Sequence, residues 1–341
     1  MTPSAAAIEV RSCRAEDVPA LMTFLAEHWR RDHVLARNRS LMDWQHQLPD
    51  GSYAYFIASD QQGIAGAIGY IQASRYDEAL AGDDVVWVAL WVVREDLRGT
   101  ALGLRLLDDL RRQVPHTSIG VNGINPEHPV MYRALGFTAV TLVQHVAVHP
   151  SITPVLASFP EGMQLPRLRS GKAGSREVDA LTIATTELTA QAGPRKSPTY
   201  FRTRFLEHPF YRYRVHELSL GSERALIASR IAERDGHRAL RIVDFAGPSD
   251  VLAESGSALA QLLVESRAEY IDLIEHGLPP EVFAALGMMA VDPDGPVIVP
   301  NYFEPFVAAT ARPLCVYRSP LPEFRVFRAD GDQDRPNALP E

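Results

Sequence analysis

The chain has 341 residues, of which 46% are hydrophobic and 22% charged, and its formal net charge is −8. Such a composition is typical of a globular protein with a sizeable core, and the length suggests two domains. The acidic balance and the lack of any lysine or arginine run argue against a nucleic-acid partner, because that binding needs clustered cations to neutralise phosphates.

Two cysteines, Cys13 and Cys315, lie far apart in the sequence. Their spacing is that of neither a disulfide framework nor a metal site, so we expect a reduced, cytoplasmic setting and no metal. The longest apolar run, Val85 to Val93, has about half the length of a membrane span. The first residues lack the basic stretch and apolar core of a signal peptide, and we expect no membrane span.

Hydrophobic periodicity and turn residues predict alternating strands and helices in the first half. In chain order they are a strand at 8–10, helices at 14–29 and 40–47, a hairpin of strands 53–58 and 64–71, a strand at 85–93, a helix at 101–113, a strand at 117–121, a short helix begun by Asn125 and ended by Gly136, and a strand at 137–148. This order favours a mixed, mostly antiparallel sheet flanked by helices.

A proline-rich stretch, 150–168, is the predicted domain boundary. It divides the chain into a first domain at 1–150, a linker at 151–168 and a second domain at 169–341. The second domain repeats the element order with an offset of about 150 residues, as tandem copies of one fold would. Its predicted elements are helices at 176–191 and 200–206, strands at 211–218, 225–233 and 239–245, a helix at 249–265, a strand at 270–274 and a helix at 280–286. The last residues of the polar tail 328–341 are expected to be disordered.

The stretch after the apolar strand 85–93 carries the main functional signal. Small residues at 99, 101 and 103 let the backbone approach a ligand closely. The amides of residues 98–103 can converge on a pyrophosphate at the positive end of the helix that follows. The loop lacks the glycine pattern of a dinucleotide-binding fold and the Gly-Lys-Ser/Thr of a P-loop. An alternative is a plain strand-to-helix turn without a ligand.

Arg98, Ala101 and Gly103, placed after a strand that ends at Val93, resemble motif A of the GNAT acyltransferase superfamily, Q/R-x-x-G-x-G/A. Ala101 departs from the pattern, since glycine is usual there. The resemblance extends over residues 8–148 and implies an α+β fold, a mixed and mostly antiparallel sheet flanked by helices. With the repeated second half it implies two tandem GNAT-like domains.

A second part of the GNAT signature lies downstream. Asn125 is followed seven residues later by Tyr132, and then by x-x-x-Gly136-Phe137. His128 stands where alanine is common in the family. Together the two parts imply transfer of an acyl group from acyl-CoA, with acetyl-CoA foremost, to the primary amine of a small molecule.

The resemblance also implies residue roles. Tyr132 would protonate the leaving thiolate; alternatively, it is a packed core tyrosine. The end of the central strand would pair with the pantetheine arm through backbone groups and polarise the thioester carbonyl, and the loop after it would hold the pyrophosphate. The residues implied to bind CoA are Val92, Val93, Arg98, Gly99, Thr100, Ala101, Leu102, Gly103 and Asn125.

The base that takes the proton of the amine stays open at this point. His128, Asp83, Asp84 and a chain of waters are the candidates. His128 is also explained as a surface or capping residue. Trp44 is either part of the core or a contact to the substrate.

The matching position of the second half, 243–250, has the sequence Val-Asp-Phe-Ala-Gly-Pro-Ser-Asp. It has no arginine or glutamine anchor, Pro248 has no N–H to offer, and Asp250 would repel a phosphate. The second domain is therefore expected to be a degenerate GNAT-like domain that has lost its CoA site and shapes the acceptor pocket.

The chain end, 330–337, is similar to endings of two-domain acyltransferases of bacterial surface-sugar pathways, whose acceptor is an amino sugar, often nucleotide-linked. On that resemblance Asp334 and Arg335 contact acceptor hydroxyls or phosphate; the alternative is a solvated acidic tail. Two other functions stay open, a Fem-like transferase that uses aminoacyl-tRNA and a non-catalytic acyl-CoA-binding module. Homodimer formation is also left open.

Overall fold

The computed structural model describes residues 8–189, 192–301 and 307–335. These residues form two mixed, mostly antiparallel β-sheets with helices packed on them, which confirms the predicted α+β fold class. Within these ranges, every helix is too short or too polar to span a lipid bilayer.

The part of the chain before residue 150 supplies strands and helices close to the predicted positions. The strands are β1 (Glu9–Cys13), β2 (Tyr53–Asp60), β3 (Gly63–Gln72), β4 (Val85–Val93), β5 (Ser118–Asn122), β6 (Thr138–Thr141) and β7 (Val143–Val148). The helices are α1 (Val18–His28), α2 (Val34–Arg37), α3 (Arg39–His46), α4 (Leu102–Gln113) and α5 (Pro129–Ala134).

The rest of the chain supplies the remaining elements. Its strands are β8 (Gly174–Val178), β9 (Arg214–Leu220), β10 (Glu223–Arg234), β11 (His237–Ala246), β12 (Tyr270–His276), β13 (Met289–Val291), β14 (Leu314–Arg318) and β15 (Val326–Phe327). Its helices are α6 (Pro198–Phe201), which continues as a π-helical turn at Arg202–Leu206, α7 (Ser249–Ala253), α8 (Gly256–Ser266) and α9 (Pro280–Leu286). α7 and α8 replace the single helix predicted at 249–265.

The two sheets exchange strands across the halves of the chain. The first sheet has the order β1-β2-β3-β4-β5-β14-β6, and the second has β13-β7-β12-β11-β10-β9-β8, with β15 beside β12. β14 comes from the second half yet lies between β5 and β6. β7 comes from the first half yet pairs with β12 and β13. Each sheet therefore needs both halves of the chain.

Because of this exchange, the two sheets do not follow the predicted division at residue 150, which stays a prediction. The predicted strand 137–148 is broken at Leu142, which is buried and donates its N–H to the carbonyl of Pro313 at 2.9 Å. The chain crosses from the first sheet to the second at that residue. The predicted ranges 1–150 and 169–341 thus do not coincide with the two sheets.

The helix predicted at 176–191 is wrong. The first of these residues belong to β8, an edge strand paired with β9, and a 3₁₀ turn at Thr182–Thr185 follows. The Asp179 carboxylate accepts the N–H groups of Leu181 and Thr182. A side chain that bonds to nearby backbone amides in this way competes with a longer helix.

The chain end is buried between the two sheets. Asp330 and Asp334 are each 1% exposed. Asp330 pairs with Lys196 at 2.9 Å, and Asp334 pairs with Arg230 at 2.8 Å, as buried carboxylates require. The solvated-tail alternative is therefore wrong for residues 330–335, whereas the disorder expected at the last residues concerns positions outside the described ranges.

Candidate functional site

The cleft of the first sheet begins where β4 and β5 separate. These parallel strands pair at residues 85–87 and 118–120 and then diverge. The register between β3 and β4 shifts between Gly69 and Tyr70, which leaves Ala89 as an extra residue on β4. Such a bulge bends a strand and redirects its backbone. The gap between the diverging strands is a cleft of about 700 Å³.

Backbone groups of β4 form one wall of the cleft. Arg94 donates its N–H to the carbonyl of Ala65, in β3, at 2.9 Å. Because backbone groups alternate sides along an antiparallel strand, Val92 also faces β3, whereas Trp91 and Val93 turn their N–H and C=O groups toward the cleft. The backbone groups of Val92, predicted to contact CoA, are therefore directed to β3 instead, and the contact through Val93 stays a prediction.

The loop after β4 brings backbone amides to one end of the cleft. The N–H groups of Gly99, Ala101 and Gly103 donate to no backbone carbonyl of the described residues. They lie at the N-terminus of α4, where the helix dipole favours an anion. Gly99 has a φ of 78°, which favours glycine. Ala101 has helical φ and ψ, so its Cβ causes no backbone strain and the departure from the family pattern is tolerated.

Other residues of the loop hold it in place. The Arg98 guanidinium donates to the carbonyls of Val93, at 3.3 Å, and of His28, at 3.4 Å. It therefore ties the loop to the ends of β4 and α1. Thr100 Oγ1 accepts the N–H of Leu102 at 3.3 Å, and the Leu102 side chain is buried. Of the residues predicted to bind CoA, Leu102 is thus turned into the core.

Tyr132 lies on the opposite wall, on α5. Its ring is 4% exposed and packs edge-on against Trp91, with ring centroids 6.2 Å apart, and against Phe137, at 5.6 Å. Burial raises the pKa of the Tyr132 hydroxyl well above its ordinary value, so the hydroxyl stays protonated at neutral pH. Because Tyr132 lines the cleft, it can donate that proton to a leaving group there.

Asn125 and His128 lie at the mouth of the cleft. The Asn125 side chain accepts the N–H of Glu127 at 3.0 Å, in a turn that precedes α5, so the predicted capping of the helix by Asn125 is wrong. His128 is the residue before α5, where it is exposed and makes no capping hydrogen bond. The structure thus brings both side chains to the same cleft as Tyr132.

The chain end supplies a wall of the cleft that the sequence predicted only in part. Asp332, Gln333 and Arg335 line the cleft, and Arg335 pairs with Asp332 at 2.9 Å. Gln333 fills the space beside Gly123, where a Cβ would lie 2.3 Å from its side chain. The predicted Arg335 is therefore at the site, and Asp332 and Gln333 were missed. A glycine directly after β5 was the sequence signal for such a close approach.

Asp334 and Trp44, the other residues considered as acceptor contacts, pack inside the protein. The Asp334 carboxylate is held by Arg230 at 2.8 Å and by the Tyr213 hydroxyl at 2.6 Å, so it anchors the chain end. Trp44 packs against His208, with ring centroids 4.3 Å apart, at the edge of the core. Neither lines the cleft. Trp44 therefore matches the alternative of a core residue, and the predicted acceptor contact of Asp334 is replaced by its pairing with Arg230.

The two carboxylates considered as the base, Asp83 and Asp84, also lie elsewhere. Asp84 precedes β4, at the end away from the cleft, where it is 2% exposed and accepts hydrogen bonds from Ser74 and Gln72. Asp83 lies next to it and is 3.8 Å from Arg195. Both candidates are therefore wrong, because they precede the residues of β4 that pair with β5, whereas the cleft lies after those residues.

The second sheet has a matching pair of parallel strands, β11 and β12, that pair over a few residues. There the gap is filled, because β15 pairs with the end of β12 and Ala329 donates its N–H to the carbonyl of Val243 at 2.9 Å. The Arg325 guanidinium donates to the Gly247 carbonyl at 3.1 Å and to Ser249 Oγ at 2.8 Å, at the start of α7. The protein's own chain thus occupies the place that is open in the first sheet.

A second pocket, of about 500 Å³, adjoins the cleft. The two share Trp29, Gln333 and residues 122–125. The far wall of the second pocket includes Leu142 and Ile274, at the junction of the two sheets. Cleft and pocket therefore lie side by side, and the volume of each is in the range that small-molecule sites have.

No protein-family model and no curated protein matches this sequence, but solved structures resemble the chain. A GCN5-related N-acetyltransferase from Anabaena variabilis superposes with a TM-score of 0.55 at 10% identity, over 92% of this chain and 72% of that one. A GCN5-related N-acetyltransferase from Kribbella flavida superposes with a TM-score of 0.50 at 13% identity, over 92% of this chain and 71% of that one. A probable N-acyltransferase from Enterococcus faecalis superposes with a TM-score of 0.53 at 9% identity, over 92% of this chain and 73% of that one. The chain therefore has the fold of the GCN5-related N-acetyltransferases over nearly its whole length.

Proposed function

We propose that this protein is an acyl-CoA-dependent N-acyltransferase that transfers an acyl group, foremost acetyl, to the primary amine of a small molecule. The observation that carries the proposal is the open cleft between β4 and β5, with loop amides at one end and Tyr132 on its wall. Because the matching gap of the second sheet is filled, the proposal assigns the reaction to the first sheet and the shaping of the acceptor site to the second half.

Acyl-CoA fits this cleft along its length. The amides at the N-terminus of α4 receive the pyrophosphate. The pantetheine arm adds to the cleft-facing edge of β4, at Trp91 and at the N–H of Val93, in the manner of an extra strand. The thioester then lies near the bulge at Ala89, where a backbone N–H polarises its carbonyl group.

The reaction is a direct transfer. The neutral amine nitrogen attacks the carbonyl carbon, the C–N bond forms and the C–S bond breaks. Tyr132 protonates the departing CoA thiolate. The proton lost by nitrogen goes to a base in the cleft, for which the candidates are His128, predicted from the sequence, and Asp332, which lines the cleft. A proton returned from the base or from solvent restores Tyr132.

The favoured acceptor is an amino sugar, free or nucleotide-linked, in the pocket that adjoins the cleft. Gln333 and Asn125 border both spaces and offer amide groups to sugar hydroxyls, and Arg335 lines the cleft beside them. The proposal places the protein in the cytoplasm, where acyl-CoA and sugar nucleotides are made. A Fem-like use of aminoacyl-tRNA is disfavoured by the net charge of −8, since tRNA binding needs cations.

The proposal is tested by measuring thiol release from acetyl-CoA over a panel of amines that includes amino sugars. Tyr132→Phe should lower kcat by about 10²–10⁴-fold and leave the Kd for CoA unchanged in calorimetry. The matched control is Tyr76→Phe, at a buried tyrosine outside the cleft, which should keep normal turnover. Normal turnover and pH profile in Tyr132→Phe would remove Tyr132 as the acid. CoA binding without thiol release from any amine would instead identify a non-catalytic acyl-CoA-binding module.

A further inference from the structure

The pocket that adjoins the cleft carries an unexpected charge. Among the residues that the structure describes, the charged ones in its lining are Arg312 and Arg328, and none is a carboxylate, although the chain as a whole has a net charge of −8. A concave site lined by one sign of charge concentrates ligands of the opposite sign. The lining therefore favours an anion.

Arg328 is a buried cation with a spare donor. It is 7% exposed, donates to the carbonyl of Asn301 at 2.8 Å and lies 3.5 Å from Asp272. Its Nε has no hydrogen-bond partner among the described residues. Asp272 also lies 3.9 Å from Arg241, so one carboxylate serves two guanidinium groups. Burial and the charge of Arg241 lower the pKa of Arg328 to about 10, a cost that a bound anion would offset.

Arg312 supplies the second cation, at the more open side. Its side chain is 45% exposed and pairs with Asp294. Exposed ion pairs of this kind contribute little to stability, so the guanidinium can turn from Asp294 to a ligand at small cost. The pocket thus combines one fixed cation and one adaptable cation.

We infer that this pocket binds an anionic group of the acceptor, a phosphate or a carboxylate, through Arg328 and Arg312. The inference rests on the proposed acyl transfer, because the amine of such an acceptor would lie in the cleft while its anionic group lies in the pocket. Asn125 and Gln333 stand between the two. Guanidinium groups bind either anion through paired N–H donors.

Matched pairs of amines test the inference by thiol release from acetyl-CoA. O-Phosphoethanolamine is compared with ethanolamine, and β-alanine with β-alaninamide. We expect kcat/KM to be at least about tenfold higher for the anionic member of one pair, and the pair that shows the preference distinguishes phosphate from carboxylate. Neutral amines turned over as well as their anionic partners would overturn the inference and leave the proposed function intact.

Two variants locate the effect. Arg312→Ala should raise KM for the preferred anionic amine about tenfold and leave kcat and the KM for its neutral partner unchanged. Arg328→Gln should raise that KM further, and Arg312→Ala decides the question if the buried substitution prevents folding. The matched control is Arg238→Ala, which breaks an exposed ion pair with Glu233 and should change neither KM. Equal KM values in Arg312→Ala and the control would overturn the inference.

A binding measurement separates this inference from the acyl transfer itself. With CoA present at saturation, inorganic phosphate or acetate should raise the Tm of the natural protein and raise that of Arg312→Ala less. Equal shifts in both proteins, or no shift with either anion, would overturn the inference. Absence of thiol release from every amine would overturn the proposed function, and the Tm shifts would then decide the anion site alone.

Discussion

The two sheets share a pair of diverging parallel strands but differ in whether the gap between those strands is open. In each sheet two parallel strands pair briefly and then separate, β4 from β5 and β11 from β12. The first gap stays open as a cleft, whereas the second is closed by β15 and by the Arg325 side chain at the start of α7. The difference shows that the same strand arrangement can leave a gap open or fill it with the protein's own chain. A strand takes the free edge, and the protein's own groups occupy the helix start.

One segment links the two regions. Residues 325–329 fill the gap of the second sheet, and farther along the same segment Asp332, Gln333 and Arg335 line the open cleft of the first. The Asn122 side chain, at the end of β5, donates to the carbonyls of Phe327 and Asp330. The segment that fills the gap of the second sheet is therefore hydrogen-bonded to the end of β5, which borders the cleft of the first sheet.

The largest expected effect separates the two helix starts. Gly103→Glu should weaken CoA binding by at least about 100-fold, because its carboxylate would repel the pyrophosphate at the start of α4. Asp250→Arg makes the opposite change at the start of α7 and should leave the Kd for CoA and a stoichiometry of one CoA per chain unchanged. Isothermal titration calorimetry measures both. A Kd that responds to Asp250→Arg and not to Gly103→Glu would reverse the assignment of the two gaps.

The next effect concerns the filled gap. Arg325→Ala removes the donor to the Gly247 carbonyl and to Ser249 Oγ, which should lower the free energy of unfolding by about 1–3 kcal/mol. Urea denaturation measures the loss, with Arg238→Ala as the control at an exposed ion pair. We also expect no second CoA to bind, since β15 still occupies the strand edge. A second binding event in calorimetry would show that Arg325 alone closes the gap.

The smallest effect is a pH dependence at the filled gap. Asp244 is fully buried beside Lys196 and Asp330, and burial raises the pKa of Asp244 to about 7. The folded protein then holds this proton more tightly than the unfolded chain. The contribution of Asp244 to stability is therefore largest at low pH and declines as the pH rises from about 4 to about 7.

Asp244→Asn keeps the uncharged form at every pH. Its free energy of unfolding, relative to that of the natural protein, should therefore rise by about 1 kcal/mol or more between about pH 5 and about pH 7. Denaturant titrations at several pH values measure this difference. A difference that stays constant with pH would show that Asp244 is ionised throughout.

Local patterns account for the elements that were predicted well. β4 was predicted at its observed bounds because nine consecutive apolar residues end at a charged turn, and α4 follows from its helical spacing of leucines. β14 could not be predicted as a member of the first sheet. It pairs with strands that lie far away in the sequence, and strand pairing between distant segments leaves no periodic signal in either one.

The site residues also divide into those that local spacing predicts and those that depend on contacts between distant parts of the chain. The loop with Arg98 and Gly103, and Tyr132 on α5, followed from spacing within a short stretch. That the backbone of Trp91, and not that of Val92, faces the cleft followed only from the register of β3 and β4. Asp332 could be found only from the path of the chain end. That segment returns to the end of β5, which lies some two hundred residues earlier in the sequence.

A crystal structure of the protein with bound CoA tests the assignment of the open cleft most directly. We predict the pyrophosphate at the amides of Gly99, Ala101 and Gly103, the CoA thiol near Tyr132 between β4 and β5, and β15 still in place beside β12. CoA bound at the start of α7, or anywhere outside the cleft between β4 and β5, would contradict the assignment.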